Sequence, residues 1–152
     1  MADNMLNNAY DLDGAEATRD FYDRWAKGYD AEVSENGYAT PARAATALAE
    51  FVEDKSAPLL DIGCGTGVSG LALLDAGFSL IDGCDFSAEM LNQARDKGIY
   101  RALFNTDLEN PFPFQTGTYA HIAAIGVLNP GHAPAEALDQ VLELLLSGGC
   151  FV

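Results

Sequence analysis

Two rhythms of apolar positions run along the chain. From Gly14 to Val33 the spacing is helical: Phe21, Trp25 and Tyr29 are four apart, with Tyr22 adjacent. This predicts one or two helices with aromatics mainly on one face. "ENGYATP" breaks the pattern, and Thr40 is the expected N-cap, with Pro41 at the first helical position, of a helix reaching about Asp54. Beyond it, strand-length apolar runs alternate with helical stretches. "APLLDIG" (57–63) predicts a buried strand, and "VSGLALLDAG" (68–77) a helix stopped by Gly77. "FSLIDGCD" (78–85) predicts a second strand, followed by a helix (88–98) capped by Ser87 and ended by Gly98. "IYRALFN" (99–105) and "YAHIAAIGVL" (119–128) predict two more strands around a proline-bearing loop. After the turn "NPGHAP", a helix is expected over 135–146, with Leu138, Val141, Leu142 and Leu145 on one stripe. "GGCFV" (148–152) opens a fifth strand, and residues 1–13 read as a loose arm.

The order β-α-β-α-β-β-α-β predicts an α/β fold: a Rossmann-like, doubly wound, mainly parallel sheet covered on both faces. Ligands of such sheets bind at the carboxyl ends of the strands, near the first strand's turn. The chain divides into the arm 1–13, a helical lid segment 14–40 and a cofactor-binding domain 41–152.

Composition narrows the partners. Hydrophobic residues make up 49% of the 152, enough for a core, and the net charge is −15. That field repels phosphate backbones and anionic lipid, so a nucleic-acid substrate is disfavoured, although acidity also serves solubility. Cys64, Cys84 and Cys150 fit neither a zinc pattern nor a disulfide framework, which suggests free thiols in a cytoplasm. No metal site is expected. The first residues lack a signal-peptide layout, and no apolar run approaches the ~18 residues of a membrane span.

"LLDIGCGTG" (59–67) is the chemical centre of the sequence. From Gly65, "GTGVSG" satisfies G-x-G-x-x-G, and Asp85 lies at the spacing of an acid that binds a dinucleotide's ribose. A nicotinamide- or flavin-dependent oxidoreductase is therefore one reading. Asp61 argues against it, because a carboxylate at the base of the loop works against a pyrophosphate. A ligand carrying an ammonium and a sulfonium welcomes that charge, so S-adenosylmethionine suits the stretch better. The alternative for Asp61 is a carboxylate that ties the loop's own amides.

"LLDIGCGTG", "GCDFSAEML" and "FNTDLE", in that order, resemble the cofactor motifs of class I S-adenosylmethionine-dependent methyltransferases. The resemblance covers the chain from about Tyr22. It implies glycine-loop contacts from Gly63, Cys64, Gly65 and Gly67, and a charge contact from Asp61. It further implies that Asp85 binds the ribose hydroxyls, Phe86 and Ile125 pack at the cofactor, Asp107 takes the adenine amino group, and the Leu108 backbone meets the ring nitrogen. For Asp107 the alternative is a turn-forming role. "YDRWAKGYD" (22–30) resembles the segment Y-D-x-W-A-x-x-Y-D found before many small-molecule methyltransferase domains. It implies that Tyr29 lies over the methionine end; the alternative is that Tyr22, Trp25 and Tyr29 are core aromatics under a helix, and Trp25 is expected in the core. "GVLNPGHAPAEALDQVL" (126–142) is similar to a stretch of Williams–Beuren-region methyltransferase-like proteins.

Three departures accompany the resemblance. Tyr119-Ala120 stands where the fourth strand usually carries an acid, and Leu146-Ser147 replaces the usual Lys-Pro before two glycines. The family fold also continues past a fifth strand, so the domain is expected to be C-terminally incomplete, with a fifth-strand edge open to self-association. His132, in the turn after the fourth strand, is the candidate general base, whereas His121 is expected in the core. No Asn/Asp-Pro-Pro-aromatic motif follows the fourth strand, so amide or adenine nitrogen methylation has no support. The function expected is methyl transfer to a small molecule. The alternatives are the oxidoreductase and a non-catalytic cofactor-binding fragment.

Overall fold

Alternating strand-length and helix-length apolar runs fold into one parallel sheet. In the computed structural model, which describes residues 5–9, 12, 14–129 and 133–152, the strands are β1 (Leu59–Ile62), β2 (Ile81–Asp85), β3 (Ala102–Asn105), β4 (Tyr119–Ala123) and β5 (Leu145–Phe151). Their order is β3-β2-β1-β4-β5, and every pairing is parallel. β1 and β2 are buried along their whole length because both faces are covered. The helices are α1 (Met5–Asn8), α2 (Ala15–Glu35), α3 (Thr40–Phe51), α4 (Val68–Asp75), α5 (Ala88–Asp96) and α6 (Ala137–Glu143).

Two apolar clusters sandwich the sheet. One packs Ala45 and Leu48 of α3 and Leu73 of α4 on Leu59 and Ile81. The other packs Val141 and Leu144 on Leu60, Ile62 and Ile122, with Phe112 and Phe114 from the loop after β3. A polar tie spans the amino ends of the strands. Buried Asp82 of β2 accepts two hydrogen bonds from Arg101, at 2.9 and 2.6 Å, and one from the Tyr119 hydroxyl of β4 at 2.9 Å.

Element boundaries depart from expectation in several places, each for a local reason. Residue 14 onward gives one helix, and Ser87 caps α5 through Met90 N as expected. Thr40 is not the N-cap of α3: Ala39 holds that place without a side-chain cap, and the helix ends at Phe51 rather than Asp54. The arm is not wholly loose, since α1 forms and Ala9 is buried with Phe21, Trp25 and Val33. β4 stops at Ala123, and the chain turns out of the sheet toward Gly126, which has φ 73°. α6 stops at Glu143 because Leu145 already pairs with Tyr119 in β5. The expected leucine stripe is accordingly corrected: Val141 is buried, whereas Leu138 and Leu142 are exposed.

Candidate cofactor site

The loop from β1 to α4 reverses direction within five residues. Gly63 and Gly65 have φ of +63° and +53°, a conformation that side chains resist. A Cβ on Gly63 would lie 2.3 Å from Val127 Cγ2, whereas a Cβ on Gly65 would meet nothing within 4 Å. One glycine thus permits close packing, and the other presents bare backbone to open space.

That space is a cavity of about 400 Å³ at the carboxyl ends of the strands. α2 contributes Thr18, Tyr22 and Tyr29 to its wall, and the β1 loop contributes Gly63 and Gly65. Asp85 and Phe86 come from the end of β2, Asp107 and Leu108 from beyond β3, and Ile125 and Val127 from beyond β4. Among the described residues, Asp85, Asp107 and Glu109 are its ionisable carboxylates, and no Lys or Arg lines it.

The carboxylates have different surroundings. Asp85 is buried, and its Oδ2 accepts from Gly65 N and its Oδ1 from Ser87 N, each at 2.9 Å. Burial pushes its carboxyl up to about 6, against the opposing pull of the Ser87, Gly65 and Phe86 amides. Asp107 forms a turn, accepting from Glu109 N at 3.1 Å and Asn110 N at 2.9 Å, while also facing the cavity. Burial holds the Tyr29 phenol well above its ordinary range, with Tyr38 and Tyr22 adding to the rise, so it is a neutral hydrogen-bonding wall.

Of the residues singled out in the sequence, Tyr29, Gly63, Gly65, Asp85, Phe86, Asp107, Leu108 and Ile125 surround this one cavity. Asp61, Cys64 and Gly67 do not line it. Asp61 lies behind the loop, 0% exposed, and its Oδ2 accepts from the hydroxyls of Ser69 at 2.7 Å and Tyr100 at 2.8 Å. It ties hydroxyls rather than loop amides; Asp85 ties the Gly65 amide. Asp61 Oδ1 is buried with no hydrogen-bond partner, and burial raises this carboxyl to about 7. Cys64 packs against Gly83, and burial pushes its thiol up, which keeps it neutral. Gly67 packs beside Tyr100 and Lys97. His132 lies outside the described residues. His121 is a core histidine, its Nδ1 accepting from Cys150 N at 3.4 Å. Trp25 is likewise buried, its Nε1 donating to Glu32 Oε2 at 2.8 Å.

Sequence reasoning missed Asp23, Asp30, Thr66 and Lys97, which join α2 to the loops. Ser87 Oγ donates to Asp23 and Thr66 Oγ1 to Asp30, each at 2.5 Å. Lys97 Nζ lies 2.6 Å from Asp30 Oδ2. The available signal was the repeated Tyr-Asp pair in "YDRWAKGYD".

The methyltransferase domain model matches residues 59–149. The chain is 36% identical over 132 residues to human Methyltransferase-like protein 27, covering 85% of this chain and 54% of that protein. It is 40% identical over 96 residues to the Dictyostelium discoideum protein named Probable 18S rRNA (guanine-N(7))-methyltransferase, covering 59% of this chain and 33% of that one. The chain thus spans about half or less of the length of these relatives. The solved structure of the DhpI–SAH complex superposes with a TM-score of 0.68 at 23% identity, over 90% of this chain and 67% of that one, a likeness of fold. With the domain model matched across the sheet from β1 to β5, this chain belongs to the class I S-adenosylmethionine-dependent methyltransferase family.

Proposed function

We propose that the cavity holds S-adenosylmethionine and that the protein transfers its methyl group to a small-molecule acceptor. The observation that carries this reading is the convergence of Gly65, Asp85 and Asp107, from three successive strand ends, on one cavity. The residues fit the cofactor. Gly65 offers an unobstructed backbone, Asp85 retains acceptor capacity for ribose hydroxyls, and Phe86 and Leu108 offer apolar surface for adenine. Asp107 is the acceptor for the adenine amino group and the Leu108 backbone the contact for a ring nitrogen. Gly63, Cys64 and Gly67 shape the loop, Ile125 packs at the cofactor, and Tyr29 covers the methionine end. Asp61, with its orphan Oδ1, supplies negative charge behind the loop for the cationic end.

When bound, the sulfonium supplies a methyl group already attached to a good leaving group. The chain's part is to align the acceptor and exclude water, which the aromatic wall of Tyr22, Tyr29 and Phe112 serves. His132 remains the proposed base for an acceptor that must lose a proton. The absence of Lys and Arg from the described lining argues against a pyrophosphate ligand and against a phosphate-bearing acceptor. Likeness to a protein named as an rRNA guanine-N7 methyltransferase supports a second reading, an RNA base as acceptor, which the net charge of −15 disfavours.

Calorimetry with S-adenosylmethionine and NAD as separate titrants tests the site. Binding of the first alone is expected; binding of NAD alone would overturn the reading. A methyl-transfer screen of small amines, phenols and thiols beside 18S rRNA tests the acceptor class. Cytoplasmic location and self-association through β5 belong to the same proposal. Among the described residues β5 pairs with β4 alone, and it exposes Leu146 and Phe151. Sedimentation across a concentration series checks the association.

A further inference from the structure

Helix α2 crosses the three loops that frame the cavity, and one row of its side chains reaches each. Arg19, Asp23 and Asp30 lie four and then seven residues apart, one face of a helix. Arg19 Nη2 is 3.7 Å from Asp107 Oδ2 beyond β3, and its guanidinium is 6.0 Å from the Phe86 ring. Asp23 accepts from the Ser87 hydroxyl beyond β2. Asp30 accepts from the Thr66 hydroxyl beyond β1 and pairs with Lys97, which also donates to the Thr66 carbonyl. None of the three lines the cavity, whereas Thr18, Tyr22 and Tyr29 of the same helix do.

We propose that Arg19, Asp23 and Asp30 are positioning residues that clamp α2 across the three loops and thereby retain the cofactor. The inference rests on the S-adenosylmethionine reading of the cavity. The clamp is uneven. At Asp30 a charged pair at 2.6 Å closes a triangle with Thr66, and charge-assisted bonds of that length are the stronger kind. At Arg19 the contact is longer, at 3.7 Å, and the two pairs are about equally exposed, so contact length and the added Thr66 bonds make the difference. The cavity therefore opens at the amino end of α2, with the Asp30 end as the pivot. This gives the two aspartates of the repeated Tyr-Asp pair a role that no cofactor contact supplies.

The test measures S-adenosylhomocysteine association and release by stopped flow, in the wild type, Asp30→Ala, Lys97→Met and the reversed pair Asp30→Lys/Lys97→Asp. Trp25, the chain's single tryptophan, packs with Ala9, Met5 and Leu12 on the arm side, so docking of α2 is read instead from hydrogen exchange of its amides in ligand-free protein. Release is expected to accelerate about three- to tenfold in each single variant, with association nearly unchanged and α2 exchange faster. The reversed pair restores the charge attraction but not the bonds to Thr66, so it should recover part of both losses, which a generally loosened fold would not do. Wild-type binding with unchanged release in both single variants overturns the clamp alone. No binding by the wild type overturns the site reading and the clamp with it. If Asp30→Ala does not fold, Lys97→Met decides.

Discussion

The Gly65 amide donates to Asp85 Oδ2 at 2.9 Å, so the acid ending β2 holds the glycine loop that follows β1. With Asp85 proposed to bind the ribose, loop shape and ligand affinity would share one side chain. Asp85→Ala should weaken S-adenosylmethionine binding ten- to a hundredfold, from charge-assisted bonds worth ~1.5–3 kcal/mol. Asp85→Asn, which keeps an acceptor for Gly65, should lose less. Isothermal titration of the two variants measures the difference, and equal affinity to wild type in both would refute the assignment.

The two loop glycines should fail differently. Gly63→Ala drives a Cβ into Val127, so it should lower the melting temperature along with binding. Gly65→Val meets open space but resists the left-handed φ and projects into the cavity. It should abolish cofactor binding with a smaller loss of stability. Paired melting and titration curves separate the two cases.

Asp61 and Asp85 carry carboxyls raised by burial to about 7 and about 6. The folded state therefore holds their protons longer than the unfolded state does. Their contribution to stability is full below about pH 4 and is lost as pH rises toward 7, at about 1.4 kcal/mol per pH unit for each group between its two values. Affinity for the cationic cofactor should move oppositely, rising through that window as the carboxylates ionise. Urea unfolding at pH 4.5 and 7.5 checks the first part, since Asp61→Asn should shrink the difference. A wild-type to variant gap that does not change with pH would contradict it.

Arg101→Met should destabilise the fold by about 2 kcal/mol. It strips two hydrogen bonds from Asp82, which is 3% exposed and would keep only the Tyr119 hydroxyl. Cofactor affinity should change little, because Arg101 lies at the opposite end of the sheet from the cavity. Denaturation midpoints together with titrations test both halves.

The succession of strands and helices and the loop ends at the cavity were legible because each depends on a few neighbouring residues. "LLDIGCGTG" encodes a buried strand, a tight reversal and a helix start within one short run. The links from Ser87 to Asp23 and from Thr66 to Asp30 join residues 64 and 36 apart; the repeated Tyr-Asp pair marks the aspartates, but no local pattern names their partners. The same limit applies to Leu145. Helical spacing favoured it as a helix residue, but pairing with Tyr119 places it in β5. Asp61 reads in the sequence as a charge for the cofactor's cationic end or a tie for the loop's amides, and its turn toward Ser69 and Tyr100 depends on a tyrosine 39 residues away.

The Arg101–Asp82–Tyr119 tie has a mechanical meaning. Asp82 lies on β2 and Tyr119 on β4, so their bond passes over the intervening β1, while Arg101 leads into β3. Four neighbouring strands are stitched at one end, where they can neither splay nor slide independently. Any fanning of the sheet must pivot about that stitch, and its amplitude is largest at the opposite margin, where the loops are. Lengthening or exchanging those loops therefore leaves the anchored margin undisturbed, and the scaffold can accommodate different molecules above its free end without relearning how to fold.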